Sequence, residues 1–395
     1  MSSWLRRYWT ALVGVATVGA VAVVAAVSSG TSPPDGPRPG PSVSVTPSPT
    51  PGFERAAGPS VVVDQTPTGD RFPGGAIRLS ARNGGRWLVV YQRYVGDVAE
   101  VFARETDRLL GPYGPEALVS DPSLGSAYDP NAVEFPDGRV IVTWTNARVI
   151  WYAERLSRGR FGLVRELFGD PGGSDFEQTM AILHGRRSIV YDHHPYGRKA
   201  FLWDPRVRVL SSDPRGVSVG PPVTVVRNGP GYGTEGTQKR VTLSETGAES
   251  GAVAVWAQHA AVPCVVPTDH PGSVQNCGPR PIFAALSGDG GSTWGLSREI
   301  ASVPGHDLVN PFAILLAPED LRVYFTVDRN VPDVGYVRSD DHGATWGAVH
   351  YVLVPQELTA ARMLFLDTPD EGLVGLFTSQ GFASLVAVRI EEPGA

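Results

Sequence analysis

Cysteine and clustered positive charge are both scarce in this 395-residue sequence. It has two cysteines, 34 lysines and arginines against 40 acidic residues, and a net charge of −6. Two cysteines without neighbouring histidines supply too few ligands for a structural zinc site, so we expect no metal. Because no basic stripe runs through the folded part, the composition excludes a general nucleic-acid-binding protein. We find no nucleotide-binding motif, and no cofactor is expected.

The two cysteines, Cys264 and Cys277, lie close together in a segment rich in proline and glycine. We predict that they form a disulfide, which would close a loop of roughly 14 residues and contribute about 3 kcal/mol in the chain-entropy model. That prediction assumes an oxidising compartment, where disulfides persist. Two free thiols are the alternative.

The amino terminus predicts a membrane anchor. Arg6 and Arg7 precede an apolar run over 11–27. The run approaches the ~20 residues that span a bilayer, and the arginines are expected on the cytoplasmic side. We therefore predict a single transmembrane helix in residues 1–28, with the rest of the chain outside the cell. Cleavage as a signal peptide, which would release a secreted protein, is the alternative.

Two further regions follow the predicted anchor. Residues 29–52 alternate proline and serine and contain nothing that forms a core, which indicates a disordered, extended tether. Residues 53–395 form the predicted folded domain.

The folded domain shows almost no helical periodicity. Short β-branched and aromatic runs recur between glycine, proline, asparagine and aspartate, in six sets that start about 50 residues apart. This period is typical of propeller blades. We predict an all-β, six-bladed β-propeller, with the early strand near Val61–Val63 pairing with the last blade to close the ring. A pair of β-sandwiches or another number of blades is the alternative.

Two segments match the pattern S-x-D-x-G-x-T-W, and they lie 52 residues apart, which is one blade. The pattern positions are Ser287, Asp289, Gly291 and Trp294 in one copy, and Ser339, Asp341, Gly343 and Trp346 in the other. In each copy the aspartate carboxylate is expected to accept backbone N–H bonds of a turn, the glycine permits a positive φ, and the tryptophan packs against the sheet. The role predicted for both segments is structural.

This pattern resembles the Asp-box of the sialidase superfamily. The resemblance implies an active site on the propeller axis, at the face opposite the Asp-box turns. There, three arginines would bind the substrate carboxylate, an aspartate would act as acid/base, and a glutamate would activate a tyrosine nucleophile. Guanidinium groups suit this task because they bind carboxylates bidentately.

Several residues match that implied site. Substrate binding is assigned to Arg71, Arg93 and Arg329, acid/base catalysis to Asp97, and the glutamate role to Glu235. For four of these residues a purely structural role is the alternative. Arg71 could be a surface residue at the ring closure, Asp97 a turn residue, Glu235 a solvated loop residue and Arg329 a loop charge.

Two parts of the family pattern are missing. Gln258 and His259 stand where the second arginine is expected, and no tyrosine opens the inner strand of the sixth blade. Tyr191 or Tyr232 would have to serve as nucleophile from elsewhere, and Arg362 is a candidate for another substrate-binding guanidinium.

Polar residues also begin the predicted inner strands, where side chains point toward the axis. They are Asp129, Asn131, Glu177, Gln178 and Asn310, and of these we assign Asp129, Asn131, Gln178 and Asn310 to substrate binding. The neighbouring pair His193-His194 is interpreted as a loop pair because no clear third metal ligand is present.

Three functions agree with these patterns. The first is an exo-acting glycoside hydrolase of the sialidase type that removes terminal acidic sugars outside the cell. The second is a non-catalytic propeller that binds glycan or protein at its axial face. The third is a glycosidase with two carboxylates, such as Asp97 and Glu235, that acts on a neutral sugar.

Overall fold

The structure, a computed structural model, describes residues 54–65, 69–146, 148–195, 204–226, 238–258, 279–328 and 333–391. These residues form β-strands and three short 3₁₀ turns, at Ala81–Asn83, Pro122–Leu124 and Gln380–Phe382. None of the described segments contains a helix long and apolar enough to cross a membrane. The predicted anchor, the predicted tether, and both cysteines lie outside the described residues.

The strands form six blades. Blade 1 contains β2 (Arg71–Arg78), β3 (Trp87–Val95), β4 (Val98–Thr106) and β5 (Ala117–Leu118). Blade 2 contains β6 (Tyr128–Glu134), β7 (Val140–Asn146), β8 (Val149–Ser157), β9 (Arg160–Phe161) and β10 (Arg165–Phe168). Blade 3 contains β11 (Gly173–Leu183), β12 (Arg186–Pro195), β13 (Asp204–Asp213), β14 (Gly216–Val219) and β15 (Val223–Thr224).

The other half of the ring follows the same plan. Blade 4 contains β16 (Gln238–Glu245), β17 (Ala252–Gln258), β18 (Ile282–Ser287) and β19 (Arg298–Ala301). Blade 5 contains β20 (Asp307–Ala317), β21 (Asp320–Asp328), β22 (Asp333–Ser339) and β23 (His350–Leu353). Blade 6 contains β24 (Leu358–Thr368), β25 (Gly372–Ser379), β26 (Ser384–Glu391) and the amino-terminal strand β1 (Glu54–Gln65). The prediction of an all-β, six-bladed propeller is confirmed.

Strand β1 closes the ring. It pairs antiparallel with β26, with Val61 opposite Ala387, and its first residues pair in parallel with β23 of blade 5. The predicted pairing of the early strand near Val61–Val63 with the last blade is confirmed. The last blade is therefore completed by a strand from the other end of the folded domain.

The first strand of every blade lies innermost. Consecutive first strands contact one another around the ring, and β24 of blade 6 contacts β2 of blade 1. Antiparallel pairing makes the first and third strands of a blade run the same way. Turns after third strands therefore lie at the opposite end from the starts of first strands, and we call the latter end the axial face.

The middle strands read as nearly continuous apolar runs because they are covered on both sides by neighbouring blades. In β3, Leu88, Val89, Val90 and Tyr91 are each at most 1% exposed. All seven residues of β17 are buried. The hydrophobic core thus consists of layers between adjacent blades.

The turns of the two S-x-D-x-G-x-T-W segments contain the hydrogen bonds expected from the sequence. The Asp289 carboxylate accepts bonds from the backbone N–H groups of Ser292 (2.9 Å) and Thr293 (2.8 Å) and from the Thr293 hydroxyl (2.6 Å). Those bonds, the Thr293 hydroxyl first, lower the pKa of Asp289 to about 2. The N–H of Gly291, at φ +86°, donates to Ser287 Oγ.

The second turn repeats this geometry. Asp341 accepts bonds from the backbone (2.7 Å) and hydroxyl (2.6 Å) of Thr345, and its pKa is also lowered to about 2. Gly343, again at φ +86°, donates to Ser339 Oγ. Trp294 and Trp346 each pack against apolar residues of their own blade and the preceding one. The two turns are structurally equivalent, as the prediction required.

A hydrogen bond beside these turns recurs in five blades. In each, a glycine N–H donates to a carbonyl of the third strand, and the five glycines are Gly114, Gly162, Gly220, Gly295 and Gly347. Tyr113 and Phe161 precede Gly114 and Gly162, just as Trp294 precedes Gly295. Blades 1 and 2 therefore have an aromatic residue at this position, although their other residues do not match the motif.

Candidate functional site

The axial face is built on a shared irregularity of the inner strands. Each inner strand carries a bulge shortly after its start, where the register with its neighbour shifts. The shifts lie between Pro73 and Ala76, Tyr128 and Asn131, Phe176 and Thr179, Lys239 and Thr242, Val309 and Phe312, and Thr359 and Met363. Bulges re-aim side chains. Six of them in a ring therefore change the direction of the side chains that border the axis.

Three bulges hold a polar residue in the left-handed backbone region. Asp129, Glu177 and Asn310 have φ values of 51°, 48° and 53° and occupy equivalent positions in blades 2, 3 and 5. Such conformations cost of the order of 1–3 kcal/mol each and concentrate at functional sites. Asp129 and Asn310 were assigned to substrate binding from the sequence, and the structure places both at this face.

Hydrogen bonds between blades hold the bulges in place. The residue after one bulge donates to a carbonyl in the next bulge: Asn131 Nδ2 to Gln178 O (3.0 Å), Thr179 Oγ1 to Val241 O (2.8 Å), and Thr242 Oγ1 to Pro311 O (3.3 Å). The side chains of Asn131, Thr179 and Thr242 are therefore engaged in the scaffold. Below them, a cavity of about 420 Å³ follows the axis between the six inner strands.

The predicted substrate ligands Asn131 and Gln178 belong to this scaffold. Gln178 is fully buried. Its Nε2 donates to Asp129 O (2.6 Å) and to Thr143 O (3.3 Å), and its Oε1 accepts from Thr143 Oγ1 (3.1 Å). The assignment of Gln178 to substrate contact disagrees with its burial, and that of Asn131 with its bonds to two carbonyls. Both residues instead position the Asp129 backbone.

Glu177 differs from these neighbours. Its Oε2 atom is buried and has no hydrogen-bond partner in the described part of the chain. Its charge acts on Arg280, which is held against Asp307 at 3.5 Å. Burial lowers the pKa of Arg280, although the neighbouring carboxylates oppose that shift. Glu177 is half-buried as a residue and thus keeps one buried carboxylate oxygen at the axial face.

Arg362 and Asp129 were both assigned to substrate binding, and the structure pairs them with each other. Arg362 Nη1 lies 2.5 Å from Asp129 Oδ1, although 233 residues separate them in the chain. Asp129 Oδ2 accepts no hydrogen bond from any residue in the described ranges. The pair is slightly exposed, with side-chain exposures of 15% and 9%.

Arg71 begins β2 at the axial face, but it is fully buried. Its Nε lies 2.5 Å from Asp64 Oδ2, and Asp64 is also buried. Arg71 is therefore not exposed at this face, and the interpretation of Arg71 as a surface residue is wrong. Its role in substrate binding stays a prediction. Sequence reasoning missed Asp64, although an acidic residue inside the apolar run of the closing strand is an unusual feature.

Arg93, the next predicted substrate ligand, already forms ion pairs and a ring contact within the protein. Its Nη1 lies 2.7 Å from Glu116 Oε2 and 3.5 Å from Asp64 Oδ2. Its guanidinium stacks 3.9 Å above the ring of Phe102. Only 11% of the side chain is exposed.

Tyr191 is unsuited to be a nucleophile. It is fully buried and donates a 2.6 Å hydrogen bond to Asp170, and both burial and this bond raise its pKa above the ordinary value. Tyr91 is in the same situation beside Glu116, and its pKa is also raised.

Asp170, Asp175 and His193 bring three potential metal ligands within 4.8 Å of one another. Asp175 Oδ1 lies 2.7 Å from His193 Nδ1, and Asp170 bonds to Tyr191 and to two arginines, Arg206 and Arg208. Burial by itself raises the pKa of Asp170, but these hydrogen bonds outweigh it and the pKa is lowered. A cation would meet two guanidinium groups here, so the cluster is better explained as a charge-balanced support of blade 3.

Some of the remaining residues considered in the sequence analysis lie within the described residues and others lie outside them. Asp97 is exposed in the tight turn between β3 and β4, at the axial face. Gln258 is buried at the end of β17 and accepts a bond from Trp256. Glu235, Arg329, His259 and Tyr232 lie outside the described residues. Their roles stay predictions, as does that of Asp97.

Comparison with known proteins identifies the fold. No family model matches the sequence, and no curated protein matches it. A Dyadobacter fermentans protein of unknown function matches with a TM-score of 0.57 and 11% identity, over 84% of this chain and 98% of that one. The NanB sialidase of Streptococcus pneumoniae matches with a TM-score of 0.58 and 10% identity, over 85% and 71% of the two chains.

An enzyme with a different substrate matches equally well. The α-L-arabinanase of Penicillium chrysogenum, solved with arabinobiose, gives a TM-score of 0.55 and 12% identity, over 87% of this chain and 99% of that one. At such low identities the likeness concerns the fold alone. The chain has the sialidase-like six-bladed propeller fold.

Proposed function

We propose that this protein is a glycoside hydrolase that binds the end of a glycan at the axial face and cleaves it with carboxylates. The proposal depends mainly on the carboxylate of Glu177. This residue sits in a strained left-handed conformation and keeps a buried carboxylate oxygen without a partner among the described residues. Neighbours with this fold include a sialidase and an arabinanase, which supports a glycan as the ligand.

A buried oxygen of this kind is costly unless a ligand completes its hydrogen bonds. A hydroxyl of the sugar, or the water that attacks the sugar, would donate the missing hydrogen bond to this oxygen. Glycosidases commonly use two carboxyl groups, about 5–5.5 Å apart in retaining enzymes and 6.5–9.5 Å apart in inverting ones. We assign Glu177 and Glu235 as these two catalytic carboxyl groups. The sequence already predicts that Glu235 is catalytic.

A sialidase-type mechanism finds less support. It needs a reactive tyrosine and arginines free to bind a carboxylate. Tyr91 and Tyr191 are buried with raised pKa values. Hydrolysis of terminal acidic sugars stays a prediction that rests on the resemblance alone.

The test is a survey of hydrolysis with the purified full-length protein. Fluorogenic α-L-arabinofuranosides, β-D-galactosides, β-D-glucosides and α-sialosides cover the neutral and acidic classes. We expect Glu177→Gln to reduce kcat at least about 100-fold, since general acid–base catalysis contributes about 10²–10⁴. Glu166→Gln, at an exposed position on β10, is the matched control and should retain full activity.

Two outcomes would contradict the proposal. An active Glu177→Gln variant would remove Glu177 from the chemistry. Failure of the wild-type protein to cleave any glycoside would favour the alternative, a non-catalytic propeller that binds glycan or protein at the same face.

We further propose that the predicted helix in 1–28 anchors this domain at the outer side of the cell membrane. The apolar run and the two preceding arginines support this arrangement. Membrane fractionation of cells that produce the full chain tests it, because a cleaved signal peptide would release the protein into the soluble fraction.

A further inference from the structure

Phe382 lies in the turn between β25 and β26, at the axial face. Its φ is +61°, a conformation that is a genuine outlier for a bulky side chain. Strain of this kind persists where the surrounding structure imposes it, often at ligand sites. The side chain is half-buried, so part of its ring remains accessible.

Phe72 connects Phe382 with the Arg362–Asp129 pair. The rings of Phe72 and Phe382 are 5.2 Å apart at 45°, and the Arg362 guanidinium lies 5.2 Å from the centre of the Phe72 ring. Phe72 itself is only 4% exposed. The buried Phe72 ring therefore contacts both the half-buried Phe382 ring and the guanidinium of the charged pair.

This combination matches the two faces of a sugar ring. The C–H groups of a sugar form an apolar surface that can pack on an aromatic ring. Its hydroxyls both donate and accept, so they can bond to the acceptor Asp129 Oδ2 and the donors of Arg362. Arg362 is in turn held in position by Asp129.

The charges around this surface indicate a neutral sugar. Four arginines at the axial face each have a carboxylate within 3.5 Å, and the pairs are Arg71 with Asp64, Arg93 with Glu116, Arg280 with Asp307, and Arg362 with Asp129. Glu177 adds a further negative charge. The guanidinium groups of this face thus already have carboxylate partners, so a carboxylate on the ligand would have to compete with those partners.

We propose that Phe382 and the Arg362–Asp129 pair form the binding site for the terminal ring of the glycan, and that this ring is neutral. The proposal rests on glycan binding at the axial face, as in the proposed function, and adds the class of sugar and Phe382 as a determinant of specificity. It does not depend on hydrolysis.

The experiment measures binding and turnover separately in the full chain. Ligand-observed NMR with L-arabinose, D-galactose, D-glucose and N-acetylneuraminate gives affinities without turnover. We expect neutral sugars to bind and the acidic sugar to bind at least tenfold more weakly. Phe382→Ala should weaken neutral-sugar binding about tenfold and raise KM more than it lowers kcat, and Phe382→Tyr should restore both. Phe161→Ala, at a half-buried aromatic position on the outer edge of blade 2, is the control.

The outcomes separate this proposal from hydrolysis. Binding of neutral sugars that depends on Phe382, without turnover, would support the subsite and overturn the hydrolase assignment. Tighter binding of N-acetylneuraminate, or unchanged neutral-sugar affinity in Phe382→Ala, would overturn the subsite even if the protein is an active hydrolase. Absence of binding by every sugar would overturn both.

Discussion

The buried carboxylate of Asp64 offers a strong test of how this ring is held together. Asp64 lies on the closing strand β1 and contacts three arginines, at 2.5 Å from Arg71, 3.1 Å from Arg104 and 3.5 Å from Arg93. Asp64 and Arg71 have side-chain exposures of 0%, whereas Arg93 and Arg104 are 11% and 22% exposed. Replacement by asparagine preserves the shape and removes the charge.

The expected loss follows from Arg71. Removing one partner of a buried ion pair costs about 3–5 kcal/mol, since the other charge is left buried and uncompensated. Arg93 and Arg104 reach solvent and Glu116, so they should add little. At roughly 2 °C per kcal/mol for a large domain, Asp64→Asn should lower Tm by about 6–10 °C.

Urea denaturation at 25 °C, followed by tryptophan fluorescence, measures the free energy of unfolding directly. Asp107→Asn is the control, because the Asp107 side chain is 78% exposed in its ion pair with Arg86 and should change stability by less than about 1 kcal/mol. Adding Arg71→Met to Asp64→Asn should recover at least about 1 kcal/mol, as it removes the uncompensated charge. An Asp64→Asn protein as stable as the control would refute this reasoning.

Two other predictions concern the bulges and the turns. Gly74→Ala should destabilise the protein by about 1–3 kcal/mol in the same denaturation assay, because a Cβ there would lie 2.3 Å from Pro130 O. Gly288→Ala is the control: a Cβ there would meet no atom within 4 Å, so the change in stability should be close to zero. The pKa of about 2 at Asp289 and at Asp341 lies below the usual 3.8, so their contribution to stability is complete above about pH 4 and is lost as the pH falls toward 2. The double variant Asp289→Asn and Asp341→Asn should therefore show a smaller decline of Tm over that interval than the wild type, and identical pH profiles would contradict this account.

The fold could be predicted from the sequence because its signals are local and repeated. The two copies of S-x-D-x-G-x-T-W specify turns through hydrogen bonds within a few residues, and the apolar runs of the middle strands reflect burial on both sides. The aromatic residues Tyr113 and Phe161 of blades 1 and 2 were harder to recognise. Only the hydrogen bond of the following glycine identifies their positions.

The site was less accessible to prediction because its contacts join distant parts of the chain. Arg362 and Asp129 were each assigned to substrate, but their pairing across 233 residues has no signal in either segment. Arg71 was assigned from a short motif, and its buried partner Asp64 lies on a strand of another blade. The strained backbone of Phe382 arises from its turn and is not evident from residue type.

The position of β1 has a consequence for the synthesis of the protein. This strand is the first part of the propeller to be made, yet its partner β26, Ser384–Glu391, is the last strand of the propeller. Until β26 has been made, the backbone groups of β1 that pair with it stay unsatisfied. An unpaired apolar strand of this kind favours aggregation. Closure between such distant segments is also slow, because contacts of long sequence separation are entropically expensive to form. Folding of this ring should therefore finish only after β26 has been made, and removal of β1 or of β26 should produce insoluble protein.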